Sequence, residues 1–241
     1  MSATFPADRA SGRGVRVALI DSGVHASHPH VGGVAGGVGF DARGQPSDDF
    51  VDRLGHGTAV AAVVREKAPL ATLYALKVFD RALRTEIGAL RAALDWAIAE
   101  RVALVNLSLG TTEDAHEGVL RGCVERARDS GVLIVSALRT PEGQSFLPGR
   151  LPGVLPVELD SDCPRDSARE AVSPDGSVFW RASPYPRPID GVPPERNLKG
   201  LSFAVANVTG LLAALVRPGH PLDLAEARRC LAAASARGGR V

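Results

Sequence analysis

The chain has 241 residues, 45% of them hydrophobic and 23% charged, which fits one large globular domain, or at most two small ones, and excludes a disordered chain. Lys and Arg number 28 against 27 Asp and Glu, a formal charge of +1, and aromatic residues are only 5%, so neither a strong field for nucleic acid or an anionic membrane nor a base-stacking surface is expected. No run approaches the roughly 18 uncharged apolar residues of a membrane span, and three scattered cysteines (Cys123, Cys163, Cys230) suggest neither a disulfide framework nor a metal site.

Residues 1–13 read as a short polar extension carrying Asp8, without the apolar run of a secretion signal. The first element is a strand, 15–21, which ends on the carboxylate of Asp21. Further strands at 73–79, 103–109 and 132–138 are largely apolar, as strands covered on both faces are. Between them the apolar spacing predicts helices. Thr85 is placed to cap one whose Ile87, Leu90, Leu94 and Ile98 share a face. A second runs from about 113 to 129 and stops at Gly131. From 141 to 199 prolines, glycines and charges predict loops and short antiparallel pieces, with a strand at 154–159. An apolar helix at 202–216 and a last one near 223–234 close the chain. Such alternation implies a single α/β domain over 14–241, its central sheet mostly parallel with helices on both faces.

In sheets of this kind ligands bind beyond the carboxyl ends of the strands. Asp21 stands at such an end, His56 lies between two glycines in Gly55-His-Gly-Thr58, and Ser202 opens an apolar helix. A serine hydroxyl attacks at neutral pH only beside an imidazole that takes its proton, and the imidazole needs a carboxylate to hold its tautomer. A serine at a helix start also has free amides nearby for an oxyanion. The order is informative. An α/β-hydrolase carries its histidine after the serine, in a Gly-x-Ser-x-Gly elbow, whereas residue 204 is alanine and the order runs Asp, His, Ser.

The segments around these residues resemble the subtilisin-like serine proteases. Ala18-Leu-Ile-Asp-Ser-Gly-Val24 with Ser27-His-Pro29 is similar to their aspartate motif, and Gly55-His-Gly-Thr-Ala-Val-Ala61 to their histidine motif. Gly200-Leu-Ser-Phe-Ala-Val-Ala206 resembles a worn form of their serine motif, Gly-Thr-Ser-Met-Ala-Ser-Pro. The resemblance covers about residues 14–216 and implies a subtilisin-like fold and endopeptidase activity. Ser202 would attack, His56 shuttle the proton and Asp21 orient the imidazole. Val105-Asn-Leu-Ser-Leu-Gly110 resembles the strand on which the family pairs an extended substrate, which assigns substrate binding to Ser108, Leu109 and Gly110. Ala137, Leu138 and Arg139 would wall the pocket for the side chain before the scissile bond. The family's oxyanion asparagine is replaced: Thr140 aligns with it and Arg139 with the preceding glycine, leaving Thr140 and the Ser202 amide as donors, with Arg139 a cationic alternative. Leu201 replaces the threonine before the nucleophile. These departures imply a slow, specialised peptidase, or a pseudoprotease that binds peptides as a scaffold.

The turn Arg65-Glu-Lys-Ala-Pro-Leu70 is too short and too poor in oxygen ligands for the calcium loop many subtilisins carry there. No metal or other cofactor is expected, and His25, His28 and His30 lie too close together around Pro29 to converge on zinc. Asp48, Asp49 and Asp52 read as a solvated loop, with a basic substrate residue as the functional alternative. Ser202 alone would read as a helix cap. A cytoplasmic enzyme maturing one peptide, with a peptide or protein substrate in extended conformation and neither nucleic acid nor membrane as a partner, completes the expectation.

Overall fold

The computed structural model describes residues 11–140, 142–193, 196–217, 219 and 222–238. Its architecture follows from one strand buried on both faces. In β1 (Arg16–Asp21) Val17 and Leu19 point into one apolar cluster, Ala18 and Ile20 into another. On one side β1 pairs in parallel with β4 (Thr72–Lys77), beyond which lie β2 (Gly36–Phe40) and the two-residue edge strand β3 (Pro46–Ser47). On the other side follow β5 (Leu104–Leu107), β6 (Leu133–Ala137), β7 (Leu155–Leu159), β9 (Val178–Ala182) and β8 (Ala168–Val172). The sheet order is β3-β2-β4-β1-β5-β6-β7-β9-β8, parallel except for the two edge pairings β2–β3 and β8–β9.

Helices cover both faces. α1 (His56–Lys67), α4 (Leu201–Leu215) and α5 (Leu224–Gly238) contribute to the first cluster, where Gly210 of α4 lies against Val64 and Lys67 of α1. α2 (Ile87–Ala99) and α3 (Glu117–Asp129) close the second cluster through Leu90, Leu94, Leu120 and Cys123. Gly131 follows α3 with φ 71°, the left-handed residue its position predicts. All three cysteines are free thiols, and among the described residues no helix is long and apolar enough to cross a membrane.

The differences from the sequence expectation are local. Thr85 does not cap α2; Glu86 holds that position in an extended conformation with no side-chain bond. The helix expected from 113 starts as a 3₁₀ turn, Asp114–His116, before α3 proper. The strands expected to run to Phe79, Leu109 and Leu138 stop at Lys77, Leu107 and Ala137, so Ser108 to Gly110 lie beyond a carboxyl end. β2 and β3 differ from the expectation, because three glycines in Gly-Gly-Val-Gly-Phe mask the strand signal of Val38 and Phe40. Its glycines answer a steric demand: a Cβ on Gly37 would sit 2.4 Å from Phe50 Cγ and 2.7 Å from Ala75 O. Of the 1–13 extension, residues 11–13 are docked, with Gly12 packed against Ala68 and Ala213 O and Ser11 O accepting from Leu70 N–H; residues 1–10 lie outside the described residues.

One side chain fastens the short turn after α1. Arg65 donates from Nε to Val31 O (2.9 Å), from Nη1 to Pro69 O (2.9 Å) and Ala71 O (2.8 Å), and from Nη2 to Gly33 O (3.1 Å). Replacing it by methionine keeps the stem and strands four carbonyls. Arg65→Met is expected to destabilise by about 2–4 kcal/mol, summing partial losses of charge-assisted bonds. Chemical denaturation checks it, and a loss under 1 kcal/mol contradicts it.

Candidate active site

The site is assembled at the carboxyl end of β1. Asp21 is its last residue, 1% exposed, and its Oδ1 accepts from Ser22 N–H (2.7 Å) and meets His56 Nδ1 at 2.7 Å. His56 is the first residue of α1. Burial works against a charged imidazole, but the hydrogen bond and charge of Asp21, joined by the charge of Asp52, outweigh it and raise the His56 pKa above its ordinary value. Neutral His56 is therefore tethered at Nδ1 with Nε2 left for chemistry.

Ser202 enters at the same end from α4, which packs beside α1 on the same face of the sheet. It is the second residue of α4, whose cap is Gly200 with no side-chain bond, so the serine does not serve as a cap. The Ser202 hydroxyl donates to Ser108 O at 3.2 Å, and the Ser108 hydroxyl donates back to Ser202 O at 3.3 Å. Asn106 Nδ2 holds Ser108 Oγ at 2.8 Å and Thr209 Oγ1 donates to Asn106 Oδ1 at 3.0 Å, which pins α4 on β5. The helix start abuts the imidazole, with the Phe203 and His56 ring centroids 5.8 Å apart. Among the described residues the Ser202 hydroxyl thus bonds Ser108 O and not His56. In unliganded sites such bonds are often long and tighten only with substrate.

The expected substrate residues fall into two groups. Leu109 and Gly110 are half-buried, and pairing resumes only at Thr111, which exchanges both backbone bonds with Leu147. They border a cleft of about 960 Å³ lined by apolar residues such as Phe79, Leu83, Ile87 and Leu90 and by charged ones such as Asp49, Lys77 and Asp80, but not by His56 or Ser202. Ala137 and Leu138 are buried, and Leu138 gives its N–H to Val157 O and receives Phe146 N–H. Arg139 is fixed: Nη1 bonds Glu158 Oε1 at 2.8 Å, Nη2 bonds Ser173 Oγ at 3.1 Å, and the guanidinium lies over the Phe179 ring. These bonds tie both terminal nitrogens to Glu158 and Ser173, at odds with a role as the free cationic oxyanion donor. Thr140 Oγ1 accepts Gln144 N–H at 3.2 Å and keeps its own proton to donate.

The three acidic residues before His56 are not one solvated loop. Asp49 is exposed, bonded by Arg53 and Lys77, and its pKa falls to about 2. Asp52, in contrast, is 9% exposed. Its Oδ1 accepts from Ser22 Oγ, Leu54 N–H and Gly55 N–H, each at 2.9 Å, and its Oδ2 from Thr58 N–H (2.8 Å) and Thr58 Oγ1 (2.6 Å). The spacing Asp-x-x-Gly-His, a carboxylate just ahead of a helix, was the available signal. His25 Nδ1 bonds Ser27 Oγ and His28 Nδ1 accepts His30 N–H. Among the described residues no three His, Cys, Asp or Glu are grouped to hold a metal.

An imidazole backed by a buried carboxylate, facing a serine that opens a helix across the end of a parallel sheet, has the make-up of a serine hydrolase site. Comparison with known proteins narrows the class. A model of the subtilase family matches residues 12–139. The thermostable alkaline protease of Halalkalibacterium halodurans is 32% identical over 222 residues, covering 87% of this chain and 58% of that protein. Subtilisin E of Bacillus subtilis is 28% identical over 233 residues, covering 88% of this chain and 57% of its own. The solved structure of Sphericase superposes with a TM-score of 0.67 at 23% identity, over 91% of this chain and 82% of that one, a likeness of fold. The chain belongs to the subtilase family, and it spans somewhat under three fifths of these two sequence relatives.

Proposed function

We propose that the protein is a serine endopeptidase that hydrolyses peptide bonds through an acyl-enzyme. Ser202 Oγ attacks the carbonyl carbon as His56 Nε2 takes its proton, and Asp21 holds the resulting imidazolium. The carbonyl oxygen gathers the negative charge between the Ser202 N–H and the Thr140 hydroxyl. His56 then passes the proton to the departing amine, and water repeats the sequence to free the acid and restore Ser202. The observation that carries this reading is the 2.7 Å pair of His56 Nδ1 and buried Asp21 beside the start of α4.

The substrate lies extended along Ser108 to Gly110, adding a strand, with its upstream side chains toward the cleft; the unpaired stretch before Thr111 supports this. Ala137 and Leu138 wall the neighbouring pocket, with Arg139 as a fixed support. A cytoplasmic role in maturing a particular peptide completes the reading, supported by three free thiols.

The second reading, peptide binding without cleavage, is favoured by the Ser202 hydroxyl resting on Ser108 O. A fluorophosphonate separates the two. Folded wild-type protein is expected to be labelled covalently and Ser202→Ala not at all; unlabelled wild-type protein decides for the scaffold.

A further inference from the structure

We propose that Asp52 is a positioning residue of this site, a second buried carboxylate that aims the His56 imidazole by clamping the backbone on both sides of it. The inference rests on the reading of His56 as general base. His56 sits between Gly55 and Gly57, neither of which has a side chain to lodge it. Both amides are held by the same acid. Gly55 N–H reaches Asp52 Oδ1 directly, and Gly57 N–H donates at 2.9 Å to Ser22 Oγ, whose own proton goes to Asp52 Oδ1. One residue on, Thr58 gives Asp52 Oδ2 its amide and its hydroxyl, while its Oγ1 accepts His25 N–H at 3.0 Å.

Asp52 thereby ties the segment after β1, which carries Asp21, to the first turn of α1, which carries His56. The amides of a helix's first turn have no partners inside the helix, and α1 has no capping side chain at Gly55. A carboxylate there satisfies them and is favoured by the helix dipole. Burial penalises the charge of Asp52, but the donors from Thr58, Leu54 and Ser22 outweigh that and keep its pKa below the ordinary value, so it stays ionised.

The second consequence is electrostatic. Asp21 and Asp52 are the two acids whose charges raise the His56 pKa. The facing elements add nothing ionisable, since neither α4 nor β5 contains a charged residue. His25 is occupied by Ser27, and Arg53 on the same loop pairs with Asp49. The clamp and the charge are separable by mutation.

Two variants test this, read by NMR titration of the His56 ring and by kcat/KM against pH. Asp52→Asn is expected to move the His56 titration and the acid limb of kcat/KM together to lower pH, and to reduce the plateau kcat/KM by about 10- to 100-fold through misplacement. Thr58→Ala, which leaves the charge but removes one clamp, is expected to lower kcat with the His56 titration where it was. An unmoved titration in folded Asp52→Asn overturns the charge contribution, and unchanged kcat in Thr58→Ala overturns the clamp, a readout that stands if Asp52→Asn does not fold. The ring titration needs no turnover. Wild-type protein that neither turns over nor labels therefore defeats the proposed activity and still reports on Asp52.

Discussion

Asp21→Asn is expected to lower kcat by about 10⁴-fold, or ~5.5 kcal/mol of transition-state stabilisation. Asp21 Oδ1 meets His56 Nδ1 at 2.7 Å and accepts Ser22 N–H as well. An amide in its place keeps the shape but can present its NH₂ to the ring, which turns the histidine to the wrong tautomer with its proton on Nε2. The imidazolium formed during attack also loses its nearest counter-charge. The pH dependence has a definite sign. Asp21 raises the His56 pKa, so wild-type activity, which needs neutral imidazole, climbs with pH along a limb above the ordinary histidine value of about 6.5. In Asp21→Asn that limb moves down while the plateau collapses. Stability follows the opposite course. A raised histidine pKa favours the folded state at pH below the unfolded value, and that contribution fades as pH rises through the folded one. The variant is expected to lose stability on the acid side only. Steady-state kinetics and denaturation from pH 5 to 9 read both, and an unchanged kcat removes Asp21 from the mechanism.

Gly57→Ala is the second change with a large expected effect. An added Cβ would sit 2.1 Å from Gly23 O and 3.2 Å from both Cβ and Oδ1 of Asp21. Neither neighbour is the end of a flexible side chain, so α1 must back away from β1. Overpacking of this kind costs about 1–3 kcal/mol. The displacement also acts on the residue before it, since moving His56 by about 1 Å can cost 10²-fold in rate. Loss of kcat/KM by about two orders of magnitude with a lower thermal midpoint is expected. A variant with wild-type kinetics would mean that the helix is not seated on the aspartate as described.

The parts of the molecule that were readable in advance are those whose signal is local. Val-Ala-Leu-Ile-Asp21 carries its own burial pattern and its carboxylate, and the glycines around His56 mark the helix start. The parts that were not readable depend on distant partners. Arg139 looked like a free cation beside the nucleophile because Glu158 and Ser173 lie 19 and 34 positions away. β2 was hidden because its glycines are chosen by Phe50 and the neighbouring strand, not by strand propensity. Asp52 was hidden among look-alikes: Asp48 and Asp49 share its chemistry, but Asp52 alone is the one spaced to reach back over the first turn of α1. The hydroxyl of Ser202 belongs to neither class. Its place at the helix start was legible, but its bond to Ser108 O depends on a rotamer that no sequence pattern encodes.

The guanidinium of Arg65, gripping four carbonyl oxygens from two stretches of chain, has a thermodynamic corollary. A fastener joined to the polypeptide by covalent bonds is always at full occupancy, whereas a dissociable ligand stabilises only in proportion to the logarithm of its supply. What Arg65 contributes to this corner therefore does not vary with the supply of any dissociable ligand, and its cohesion is inherited with the gene.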